Sequence, residues 1–179
     1  MIKNDNMKDV KLMLVGDGPE RKKLEALAKK LHLEKNIIWT GTLRGQAWRE
    51  AFSCNDIFVT TSKSENMPLT ILEAMACGLP MITADDNGLK EIIKDNKNGY
   101  LCRVDNAEEV AQKIKNTLED FGKREQFGRA SRELAMNYSK ERITDLLEKC
   151  YQKVINNFTQ WNSSDKSSLS QSGIPQGKN

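Results

Sequence analysis

Glu65 and Glu73 are separated by seven residues in the stretch Ser64-Glu65-Asn66-Met67-Pro68-Leu69-Thr70-Ile71-Leu72-Glu73-Ala74-Met75-Ala76-Cys77-Gly78-Leu79-Pro80. Pro68 suits a first helical position, where its missing N–H costs nothing, and Gly78 with Pro80 gives a stop signal. The stretch therefore reads as a loop feeding a helix. Ile57-Phe58-Val59-Thr60 before it and Met81-Ile82-Thr83-Ala84 after it are short apolar runs of strand type. A helix start beyond the carboxyl end of a parallel strand leaves N–H groups unpaired and carries partial positive charge, which suits a phosphate. The main chain of Asn66, Met67, Pro68, Leu69 and Thr70 is placed for that task. A carboxylate repels phosphate but accepts hydrogen bonds from sugar hydroxyls. Main chain for phosphate and two carboxylates for hydroxyls point to a ligand that contains both, such as a nucleotide sugar.

Glu65, Glu73 and the small-residue helix ending in Ala76-Cys77-Gly78-Leu79-Pro80 resemble the Glu-x7-Glu signature of retaining GT-B glycosyltransferases of family 4. Lys11-Leu12-Met13-Leu14-Val15-Gly16-Asp17-Gly18-Pro19-Glu20 resembles that family's strand and loop before the signature, and Asn98-Gly99-Tyr100-Leu101 the strand after it. The similarity runs over about residues 10–151. Where the family often has Gly-Gly-x-x-Glu, this chain has Asn87-Gly88-Leu89-Lys90-Glu91, a mild departure because asparagine tolerates left-handed backbone.

The resemblance implies a doubly wound, Rossmann-like parallel sheet, the C-terminal donor-binding domain of a GT-B enzyme. It implies Glu65 as the catalytic-site residue that holds donor-sugar hydroxyls, Glu73 as the ribose ligand, and the backbone of Gly41-Thr42-Leu43 beside the nucleobase edge. Transfer would proceed from a nucleotide-diphospho sugar with retention, without metal or other cofactor. The acceptor would be held by an N-terminal domain or partner chain, in polysaccharide or glycolipid synthesis. The family's domain begins with a strand, a loop bearing Arg and Lys, and a helix, and this chain is expected to lack them. The absent strand is central in the 3-2-1-4-5-6 order, so a gap or a re-pairing is expected in the sheet. Without the basic clamp, donor binding would survive better than turnover. The alternative from another class is a non-catalytic nucleotide-sugar-binding module or an inactive gene fragment.

The 179 residues are 38% hydrophobic and 30% charged, enough for one ordinary core. The expected division is a loose N-terminus (1–9), one Rossmann-like domain (10–158) and a disordered tail (159–179). The net charge of +3 arises from 28 basic and 25 acidic residues spread along the chain, with no basic block of the kind that binds nucleic acid. Mild attraction to anionic lipid leaves room for peripheral membrane contact. Cys54, Cys77, Cys102 and Cys150 form no Cys-x-x-Cys pair and fit reduced structural thiols. No apolar run approaches the roughly 20 residues needed to span a bilayer, so a cytoplasmic location, extending to the inner face of the membrane, is expected.

The elements that must position the glutamates follow from periodicity. Residues 11–15 read as the first strand, and the Gly16-Asp17-Gly18 turn leads into a helix over 20–31 whose Leu24, Leu27, Ala28 and Leu31 should form one buried stripe. As a dinucleotide fingerprint this turn fails, because the third glycine would fall at Arg21. His32 closes the helix as a solvated end. Ile37-Ile38-Trp39 is a second strand, with Trp39 packed in the core or at an edge, and residues 46–54 a short helix. Residues 85–91 read as a turn and a short helix; Asp85 and Asp86 point apart and lack a third ligand for a metal. Tyr100-Leu101-Cys102 is the last strand. Asn106 and Glu109 make a capping-box pattern for a helix with Val110, Ala111, Ile114 and Leu118 inside. Helices over 123–135 and 139–158 follow, the last with a stripe of Ile143, Leu146, Leu147, Cys150, Tyr151 and Val154.

Overall fold

The computed structural model describes residues 7–63, 69–85 and 88–169, with side chains through residue 160. The chain forms two compact units, Met1–Ala135 and Met136–Asn179. In the first, strands and helices alternate: β1 (Leu12–Val15), α1 (Arg21–Lys30), β2 (Ile37–Gly41), α2 (Gly45–Ser53), β3 (Phe58–Thr60), α3 (Leu69–Ala76), β4 (Met81–Ala84), β5 (Gly99–Cys102), α4 (Ala107–Glu119) and α5 (Phe121–Ala135). Every ladder is parallel: α1 joins β1 to β2 and α3 joins β3 to β4, while the stretch from β4 to β5 crosses over with no helix among its described residues. The expected α/β architecture is therefore present.

The strands fall into two sheets, β1-β2 and β3-β4-β5. Among the described residues no ladder joins β1 to β3, so of the two expected outcomes the gap is the one observed. Asn55, three residues before β3, reaches β1 through an Nδ2 to Met13 Sδ contact of 3.8 Å.

The three-stranded part holds the core. All four residues of β4 are buried, because it is flanked by a strand on each side and covered by helices. Ile82, Tyr100, Cys102 and Phe127 pack together, with Val59, Val110 and Ile114 against them. Burial pushes the Cys102 thiol pKa up. Two close approaches set the spacing. A Cβ on Gly99 would overlap the Met81 carbonyl, and one on Gly128 the Gly78 carbonyl, so β5 meets β4 and α5 meets the end of α3 through bare backbone. Asn98, fully buried, receives the Lys94 N–H on Oδ1 at 2.7 Å and donates from Nδ2 to the Ile92 carbonyl at 3.2 Å. Its own carbonyl accepts from Ser131 Oγ at 3.1 Å and from the Met81 N–H at 3.1 Å. Thr83 Oγ1 is buried without a hydrogen-bond partner among the described residues.

Helix ends follow local chemistry. At α3, Gly78 adopts φ +76° while its N–H bonds to Met75 O (2.9 Å) and that of Leu79 to Ala74 O (3.1 Å). This is a Schellman end, and it makes Gly78 the stop signal read from sequence. His32 does the same for α1 at φ 54°, with His32 N–H to Lys29 O and Leu33 N–H to Ala28 O. Asn106 caps α4 by accepting the Glu109 N–H at 3.0 Å. The reciprocal half of the capping box does not form: the Glu109 carboxylate accepts instead from Arg103 Nε at 2.8 Å. That hydrogen bond, aided by charge, holds the Glu109 carboxyl below its usual range.

Three expectations are corrected. The α1 stripe is not buried: Ala28 is, but Leu24 is 45% and Leu27 49% exposed, and Leu31 is exposed as well. A pair of strands is too narrow a floor for a helix face, and Leu12, Val15 and Ile38 are exposed on that pair too. Residues 88–92 form turns rather than a helix, because the Asn98 side chain takes the Ile92 carbonyl and the Lys94 N–H that a helix would use. In the second unit α6 (Lys140–Leu169) runs past its expected end at residue 158, since residues 159–169 contain no glycine or proline to stop it. Ser139 caps it through the Arg142 N–H at 3.3 Å. Its stripe of Ile143, Leu146, Leu147, Tyr151 and Val154 is exposed. No described helix is long and apolar enough to cross a membrane.

Candidate functional site

Glu73 lies on α3, the helix that follows β3, with its side chain exposed. Its position follows from the helix period: Ile71, Ala74 and Met75 face inward and are buried, which turns position 73 outward. α2 comes alongside and presents Trp48, whose Nε1–H donates to Glu73 Oε2 at 3.1 Å. The indole is itself held. It meets the Phe52 ring edge-on at 5.1 Å and 86°, and Phe52, buried, lies 6.2 Å from the Phe58 ring of β3. Among the described residues Glu73 Oε1 has no hydrogen-bond partner. The result is a negatively charged acceptor held to one side by a neutral donor.

A second set of groups gathers after β1 and β2. The Gly16 N–H donates to the Gly41 carbonyl at 2.8 Å, and Thr40 Oγ1 donates to the same carbonyl at 2.9 Å. Gly41 sits at φ +67°, a conformation its lack of Cβ permits. The Gly41 carbonyl is thus committed to joining the two loops, while Thr42 is exposed and Leu43 half-buried beyond it. Arg21 stands over Trp39 at 5.7 Å and donates from Nε to Glu25 at 2.8 Å, with Asp17 3.4 Å away. Its hydrogen bond to Glu25 raises the guanidinium pKa further. Trp39 is half-buried, an edge packing with a cation on its face.

Of the residues expected at the site, Leu69 is 74% exposed at the start of α3 and Thr70 half-buried beside it. Glu65, Asn66, Met67 and Pro68 lie outside the described residues, as do Asp86 and Asn87. Lys63 pairs with Asp105, in the turn after β5, at 2.7 Å. Asp85 is engaged by Lys90 at 3.0 Å. Among the described residues no three His, Cys, Asp or Glu side chains converge. A cleft of about 400 Å³ lies elsewhere, at the amino ends of β3 and β4, between Asp56, Leu79 and Arg124.

Trp48 and Arg21 were missed as site residues in the sequence. The signal for Trp48 was its i, i+4 pairing with Phe52 on a short helix. For Arg21 it was a cation at the place where a glycine would complete a dinucleotide fingerprint.

The sequence matches the family described as Glycosyl transferases group 1 over residues 1–134. The chain belongs to that family. Among curated relatives, the sulfoquinovosyl transferase of Arabidopsis thaliana is 34% identical over 137 residues, 75% of this chain and 26% of that protein. The N-acetyl-alpha-D-glucosaminyl L-malate synthase of Bacillus anthracis is 34% identical over 148 residues, 82% of this chain and 38% of that protein. The chain thus spans between 26% and 38% of the length of these two relatives. A solved structure of Staphylococcus aureus TarM, a mutant in complex with UDP and sugars, superposes with TM-score 0.73 at 29% identity, over 80% of this chain and 29% of that one. The C-terminal domain of a group 1 glycosyl transferase from Francisella tularensis gives TM-score 0.65 at 28% identity, over 76% of this chain and 72% of that domain.

Proposed function

We propose that this chain is the donor-binding part of a retaining glycosyltransferase, which takes a sugar from a nucleotide-diphospho sugar. In this reading Glu73 accepts the ribose hydroxyls, Glu65 holds hydroxyls of the donor sugar, and the main chain of residues 66–70 faces the diphosphate. The backbone of Gly41, Thr42 and Leu43 lies beside the base. The sugar's C1 leaves the phosphate oxygen and bonds to an acceptor oxygen on the same face, and the acceptor's proton ends on the departing diphosphate. The acceptor comes from an N-terminal domain or partner chain, at the cytoplasmic face of a membrane, in polysaccharide or glycolipid synthesis. No metal takes part.

The observation that carries the reading is Glu73: an outward carboxylate on the helix after β3, with one oxygen held and the other without a partner among the described residues, in a chain similar to TarM, which was captured with UDP. A hydrogen bond to a charged carboxylate is worth about 1.5–3 kcal/mol, and solvent exposure keeps the gain near the lower end. Calorimetry with UDP-sugars and GDP-sugars tests it. Binding is expected in the wild type and is expected to weaken about tenfold in Glu73→Ala; equal affinity in the two proteins overturns the assignment.

A further inference from the structure

The Trp48 to Glu73 hydrogen bond links two helices that neither the sheet ladders nor the helix caps require to touch at this point. We infer that Trp48 is a positioning residue, which fixes the Glu73 carboxylate so that Oε1 meets the ribose hydroxyls of a nucleoside diphosphate. This rests on the reading of Glu73 as the ribose ligand and adds to it the group that makes the carboxylate selective.

Three features support the assignment. An exposed glutamate has three rotatable side-chain bonds, and ordering it on binding costs rotamer freedom. A donor already bound to Oε2 removes part of that cost before the ligand arrives. Trp48 is itself anchored, since its ring rests edge-on against Phe52, and Phe52 is buried beside Phe58 of β3. The position of the carboxylate is therefore referred through α2 to β3.

The third feature is chemical. Indole N–H is a donor only and carries no charge. It occupies one lone pair of Oε2 without neutralising the carboxylate, as an arginine or lysine would, so the remaining lone pairs keep their strength for hydroxyl donors. A lysine at position 48 would supply the same contact but lower the acceptor strength of Glu73. The geometry thus favours neutral, hydroxyl-bearing ligand parts at this spot.

The experiment compares UDP and GDP with their 2′,3′-dideoxy analogues on the full chain by calorimetry, in wild type, Trp48→Phe and Glu73→Ala. Phenylalanine keeps the ring packing on Phe52 and deletes the N–H. The wild type is expected to prefer the ribonucleotide, and Trp48→Phe to lose about three- to tenfold of affinity for it while binding the dideoxy analogue as before. In parallel, the Trp48 indole resonance in ¹H–¹⁵N spectra of the wild type is expected to shift with the ribonucleotide and far less with the dideoxy analogue, a readout that does not depend on the variant folding. If Trp48→Phe keeps the full ribose preference while Glu73→Ala loses it, the role given to Trp48 is overturned and Glu73 stands as the ribose ligand. If wild type and Glu73→Ala alike show no ribose preference, both assignments fall.

Discussion

The β1-β2 half and the β3-β4-β5 half are built from the same strand-loop-helix repeat, yet they bury their apolar residues to different degrees. On α3, Ile71, Ala74 and Met75 are buried, and β4 is buried throughout. On α1, with an equally clear apolar stripe, Ala28 alone is buried, and Leu12 and Val15 at the ends of β1 are exposed. The difference lies in what each layer can rest on. Helices α4 and α5 and a third strand close the larger half, and α5 approaches so closely at Gly128 that a methyl group would not fit. The smaller half offers α1 a floor of two strands. An amphipathic stripe thus reports fitness for burial, while burial itself requires a partner layer.

The largest expected effect sets the halves against each other directly. Phe127→Ala, which empties the contact with Tyr100, should cost roughly 3–5 kcal/mol, whereas Leu27→Ala, about half exposed, should cost less than about 1 kcal/mol. Urea denaturation of both variants measures this, and similar losses would break the contrast. A smaller effect of opposite sign is expected within the closed half. Thr83→Val removes the one buried hydroxyl without a partner among the described residues and should raise stability by about 1 kcal/mol, read from the same curves. The smallest effect sits at the rim. The Glu109 carboxyl pKa is depressed by Arg103, so its contribution is present above the unfolded carboxylate pKa and lost as pH falls through the lower folded value. Melting temperatures of wild type and Arg103→Ala should therefore differ at neutral pH and converge in acid; a constant gap would remove Arg103 as the cause.

Much of the fold was legible because it rests on local signals. Gly78 ends α3, Asn106 starts α4 and Ser139 starts α6, each through bonds within a few residues. The β4 strand was read from Met81 to Ala84 as observed. What escaped depends on which partner a side chain finds outside the regular helix and strand patterns. The turn over residues 88–92 is set by Asn98, and the orientation of Glu73 by Trp48, 25 positions earlier in the chain. The Glu73 half of the carboxylate pair could be placed by helical period, but its hydrogen-bond partner could not, since no local pattern links α2 to α3. The departure of Glu109 from the capping box has the same origin: Arg103 is a charged competitor for a carboxylate that would otherwise turn to a neutral N–H.

The contact of Gly78 with Gly128 has a consequence for how this scaffold can vary. Where two elements meet through main chain, their separation is a constant of peptide geometry that swapping one apolar side chain for another cannot tune. The amino end of α3 is then free to vary while the far end of the helix stays riveted in place.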